Sequence, residues 1–132
     1  MGADQVAAIR PALVELEDDE KSHSPGGEAR YFARFSVPQK DDVWAEVYLE
    51  DETIVNLSFP FQDEPMDRLK LSGIELLPGG RVMDTTTGEY CTLAFHRVPT
   101  MTLARFVDAL FSQALKCGDD YGVDVSILRF PE

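Results

Sequence analysis

Val43-Trp44-Ala45-Glu46-Val47-Tyr48-Leu49-Glu50 is the stretch that decides the fold. Successive side chains of an extended strand project to opposite faces, so Val43, Ala45, Val47 and Leu49 point one way. Trp44, Glu46, Tyr48 and Glu50 point the other. An acidic turn near Asp51 leads into Thr53, Val55, Leu57 and Phe59, which keep the period of two, and the pair reads as a hairpin. Upstream, Tyr31, Ala33, Phe35 and Val37 share one face and Pro38 closes their strand. Three consecutive antiparallel strands are the natural assembly.

Helical periods flank this meander. Val6, Ile9, Leu13 and Leu16 predict an N-terminal helix capped by Asp4, with Pro11 either kinking it or restarting it. The acidic tail Glu15 to Glu20 sits at the negative end of that helix, where it should fray. Residues 22–29, rich in Ser, Gly and Pro and including His23, read as a flexible loop. Beyond the meander, Met66 to Leu71 reads as a short helix with Asp63 or Glu64 near its start, and Pro78-Gly79-Gly80 as a turn. A second hairpin follows, with arms at Arg81-Val82-Met83 and Glu89 to Val98 and Gly88 near its bend.

Leu103, Phe106, Val107, Leu110, Phe111, Ala114 and Leu115 then repeat at helical spacing. Thr100 or Thr102 can cap this helix and Gly118 can end it. Val123 to Ile127 can add an edge strand. The fold class is therefore α+β: an antiparallel sheet with an N-terminal helix and a packed amphipathic C-terminal helix, in one domain over residues 1–132. A chain of this length can bury roughly two-thirds of its unfolded surface in one core.

The net charge of -12, from 24 acidic and 12 basic residues, repels phosphate backbones and anionic lipid. Neither nucleic acid nor membrane is expected as a partner. An acidic surface attracts a basic protein, imitates nucleic acid or only keeps the chain soluble. No basic start with an apolar run marks a secretory signal, which makes the cytoplasm the expected compartment. Cys91 and Cys117 are expected as free thiols.

Chemistry finds little to work with. Cys91 and His96 are separated by an odd number of strand positions, which places thiol and imidazole on opposite faces. Asp119, Asp120 and Asp124 with Gly122 lack the alternating spacing and closing glutamate of a calcium loop. Two cysteines and two histidines without paired spacing do not make a zinc site. Pro78-Gly79-Gly80 lacks the lysine and hydroxyl of a phosphate loop. No catalytic residue, cofactor or metal is expected.

Trp44 and Tyr48 alternate with Glu46 and Glu50, giving large apolar area framed by negative charge. These four residues are the candidate partner-binding set, suited to a basic protein or to one with an extended apolar segment. A helix covering this face would instead make Trp44 part of the core.

Met66-Asp67-Arg68-Leu69-Lys70-Leu71-Ser72-Gly73 is similar to a short helix ending in a Leu-x-x-Gly-like step. Leu103 to Leu110 running on to Asp120-Tyr121-Gly122-Val123 carries a second likeness. With the element order, these segments resemble the type III secretion chaperone-like (TY-Chap) and YbjN-like domains. The tryptophan common after the glycine step is replaced here by Ile74-Glu75-Leu76-Leu77. The resemblance implies a small acidic dimeric chaperone or adaptor that holds a segment of another protein and has no catalytic residues. The alternative is an acidic inhibitor or immunity protein, mimicking nucleic acid, that blocks a basic site. A hydrolase would require Cys91, His96 and a carboxylate to converge.

Overall fold

The computed structural model describes residues 3–21, 31–38, 40–117 and 121–129. The expected loop at 22–29, with His23, lies outside them. In chain order the elements are α1 (Ala3–Lys21), β1 (Tyr31–Val37), β2 (Lys40–Leu49), β3 (Thr53–Ser58), α2 (Pro65–Leu71), β4 (Arg81–Thr86), β5 (Tyr90–Phe95), α3 (Thr100–Ala109), a π-helical turn (Leu110–Ala114) and β6 (Asp124–Arg129). The α+β class expected from the sequence is the one observed.

All strand pairs are antiparallel, and the six strands lie in the order β4-β5-β3-β2-β1-β6. The β1-β2-β3 meander forms the centre. The connection through α2 carries the chain past one strand position, so β5 and not β4 pairs with β3. At the other side, β6 returns to pair with β1, setting Ala33 opposite Ile127 and Phe35 opposite Val125.

One face of the sheet carries Ala33, Phe35, Ala45, Val47, Val55, Leu57, Leu93 and Phe95, all fully buried. Against it pack Ile9, Leu13 and Leu16 of α1 and Leu103, Phe106 and Val107 of α3. Phe95 and Phe106 meet edge to face with ring centroids 5.2 Å apart. Burying each such large apolar side chain contributes about 1.5–3 kcal/mol, and this face supplies most of the drive for folding. No helix of the described residues is long and apolar enough to cross a membrane.

Several local expectations are corrected. The helix α1 neither restarts at Pro11 nor frays at its acidic tail: it runs unbroken through Lys21. Burial of Leu16 anchors the later turns. Pro99 occupies the N-cap position of α3, with no side-chain cap hydrogen bond, so neither Thr100 nor Thr102 caps it. The same helix ends early by widening into a π turn, in which the Leu115 amide donates to the Leu110 carbonyl at 2.8 Å. Lys116, with φ 58°, takes the left-handed position that Gly118 was expected to fill. Gly118 itself lies outside the described residues.

Candidate functional site

Both α1 and α3 pack on the inner face of the sheet and α2 adds its buried Leu69 to the same core, so no described helix covers the outer face. The alternation read from β2 places Trp44, Glu46 and Tyr48 on this outer face, each part-buried, and Glu50 exposed just past the strand end. Registers bring further residues beside them. Antiparallel pairing sets side chains opposite one another across neighbouring strands, so each level of the outer face is a row crossing the sheet.

The central row is polar. Asp84 faces Thr92, Thr92 faces Asn56, Asn56 faces Glu46, Glu46 faces Arg34 and Arg34 faces Ser126, one residue from each strand. The Arg34 guanidinium donates to Glu46 Oε2 at 2.6 Å. Glu46 Oε1 accepts from the Tyr48 hydroxyl at 3.0 Å and from Asn56 Nδ2 at 3.4 Å. Thr92 Oγ1 donates onward to Asn56 Oδ1 at 2.9 Å. Glu46 is thus neutralised within the sheet, and its charge is already engaged by Arg34.

The row on one side is apolar. Leu128 faces Phe32, Phe32 stacks on Tyr48 with ring centroids 4.9 Å apart, Tyr48 faces Ile54 and Ile54 faces Ala94. The row on the other side holds Ser36, Trp44, Ser58 and Tyr90. Ser58 ties Trp44 in place, its hydroxyl accepting from the Trp44 amide at 3.0 Å and donating to the Trp44 carbonyl at 3.3 Å. Arg34 lies 5.1 Å from the Trp44 ring centroid, a cation–π distance that joins the polar row to the indole.

Electrostatics follow from this packing. Burial above all, then the Glu46 carboxylate beside it, pushes the Tyr48 phenol well above its ordinary range. The hydroxyl therefore stays protonated and serves as a donor. At the end of the apolar row, Arg81 and Glu52 form a two-pronged pair at 2.7 and 2.6 Å. Their mutual hydrogen bond lowers the Glu52 carboxyl and raises the Arg81 guanidinium.

Sequence reasoning placed the β2 residues but missed Phe32, Arg34, Ile54, Asn56, Thr92 and Leu128, which complete the face. The signal was present in β1 and β3, whose non-core positions alternate as strictly as those of β2. What was missing was the register that decides which of them become neighbours.

The residues weighed for chemistry are placed as follows. Cys91 is buried on the inner face opposite Leu57, whereas His96 is exposed just beyond β5, its amide donating to the Pro78 carbonyl at 2.8 Å. Asp124 faces Ser36 from β6, while Asp119 and Asp120 lie outside the described residues. Among the described residues no three His, Cys, Asp or Glu side chains gather as metal ligands would. Cys91 and Cys117 are both free thiols.

Compared with protein families, with curated proteins and with solved structures, the chain matches none. Its class is set by its own architecture: an α+β protein whose six-stranded antiparallel sheet carries both long helices on one face.

Proposed function

We propose that the chain is a non-enzymatic protein-binding domain, of secretion-chaperone-like or adaptor type, that holds a segment of a partner protein against the outer face of its sheet. One observation carries the reading: a sheet face left open by the described helices presents Trp44, Tyr48, Phe32, Ile54 and Leu128 as a part-exposed aromatic and apolar surface. Aromatic residues held by their own hydrogen bonds and stacks lose little entropy on binding, which suits them as anchors. The expected occupant is an extended segment with apolar side chains, or the same face of a second copy in a homodimer. A cytoplasmic setting fits this reading.

The inhibitor alternative draws its attraction from free carboxylates. Glu46, the central carboxylate of the face, is already paired with Arg34 at 2.6 Å, and this favours apolar capture over charge-driven blocking. Salt separates the two, since a charge-driven complex weakens steeply as ionic strength rises.

The test is affinity capture from native cell extract at low and high salt, with the wild type and Trp44→Ala. The reading expects a partner retained at both salts and lost on substitution, with circular dichroism showing the variant still folded. Capture unaffected by the substitution, or a purified protein that retains nothing but turns over a small molecule, defeats it.

A further inference from the structure

A groove of about 870 Å3 runs between α1 and α3, on the solvent side of both helices. Its apolar walls come from Pro11 and Val14 on one helix and Met101 on the other, and Val14 is 37% exposed. The groove also receives the side chains of Arg10, Arg105 and Asp108.

The two arginines are out of keeping with their setting. In a chain of net charge -12, cations have carboxylates in excess to pair with. Arg34, Arg68 and Arg81 each do so, and Arg97 donates to the Glu50 carbonyl. Among the described residues Arg10 and Arg105 make no ion pair, and both open onto the same groove. The single carboxylate there, Asp108, is held by the Tyr121 hydroxyl at 2.8 Å. Two guanidinium charges stand against one carboxylate charge, beside apolar walls.

Size distinguishes the occupant. The α1 wall runs from Val6 to Val14, about 12 Å at the helical rise of 1.5 Å per residue. That length and volume match a small-molecule cleft, typically about 300–1,000 Å3. A guanidinium recognises a carboxylate through two parallel hydrogen bonds.

We infer that the α1–α3 groove binds a small amphipathic anion, a medium-chain alkyl carboxylate, with its chain against Pro11, Val14 and Met101 and its carboxylate on Arg10 and Arg105. This site is separate from the outer face of the sheet, and its occupancy does not depend on protein binding there.

The experiment is calorimetric titration of the full chain with decanoate, octanoate, decanol and decyltrimethylammonium, with amide NMR shifts locating the contact. Decanoate should saturate one site and shift α1 and α3 amides. Decanol and the cation should bind at least tenfold more weakly, and octanoate about fifteenfold more weakly if both lost methylenes are fully buried. The double variant Arg10→Gln/Arg105→Gln should lose at least tenfold for decanoate and leave decanol unchanged, and Arg10→Lys/Arg105→Lys should recover part of the loss. Decanol binding as tightly as decanoate overturns the proposal. So does a Gln double variant with unchanged decanoate affinity, or shifts confined to the outer sheet face.

Discussion

Arg34 and Glu46 face each other across β1 and β2 at 2.6 Å, and the same guanidinium lies 5.1 Å from the Trp44 ring centroid. This pair links the polar row of the outer face to the aromatic residue on which the proposed function rests. It lies on a surface where Arg34 is 38% and Glu46 14% exposed, which limits its worth.

Exposed ion pairs contribute about 0.2–1 kcal/mol, and a part-buried one with further hydrogen bonds lies near the upper end. Glu46→Ala also removes the acceptor shared by Tyr48 and Asn56, so a loss of about 1–2 kcal/mol is expected in urea unfolding. A double-mutant cycle with Arg34→Ala should return a coupling of about 1 kcal/mol. Coupling indistinguishable from zero would show that the row is decorative.

Alkaline pH should destabilise the fold through two phenols. Tyr48 and Tyr121 are both raised above 10.0, first by burial and then by the carboxylates Glu46 and Asp108 that accept their hydrogen bonds. A group raised in the folded state contributes stability that is complete below its unfolded value and is lost as pH climbs past it. The urea midpoint should therefore fall between about pH 9.5 and 11.5, the range that brackets the ordinary phenol value. Tyr48→Phe/Tyr121→Phe should flatten that fall, and an equally steep fall in this variant would refute the assignment.

How much of this could be read in advance divides along physical lines. The β2 alternation fixed which residues share a face, because the strand period is set by backbone geometry alone. The insertion of β5 between β3 and β4 was not legible, because it depends on a crossover through α2 that no local period encodes. Trp44 could be placed opposite Val43 and Ala45, but whether a helix covered it depended on both helices choosing the same side. Pairing of Glu46 with Arg34 required the β1–β2 register, which the break between Ser36 and Val37 shifts.

The two thiols should differ in reactivity. Cys91 is pushed up to about 12, chiefly by burial and further by the Asp84 carboxylate, and it sits 1% exposed under the helical layer. Cys117 is raised mainly by burial but is only part-buried. Thiol reagent at pH 8 should label one cysteine slowly in the native protein and both in denaturant. Labelling surviving Cys117→Ser without denaturant would mean that Cys91 is accessible.

At the turn before β4, two adjacent glycines should respond differently to alanine. Gly79 has φ 76° and a new Cβ there would meet the His96 ring at 2.5 Å, but that side chain is exposed and can move. The remaining cost is the left-handed backbone, about 1–2 kcal/mol. At Gly80 the Cβ would lie 2.5 Å from Leu76 Cβ and 2.7 Å from the Leu77 carbonyl oxygen, groups tied to the backbone. Gly80→Ala should therefore lower the thermal midpoint more than Gly79→Ala, and the reverse order would contradict this packing.

The pairing of β6 with β1 has a consequence for biosynthesis. On the ribosome, β1 emerges long before residues 124–129, so one edge of the nascent meander has no partner until the chain has been made through β6. An unpaired edge is a template for pairing with other chains. Translation that pauses or stops before Asp124 would release a sheet with a sticky flank, and the closing strand acts as its seal.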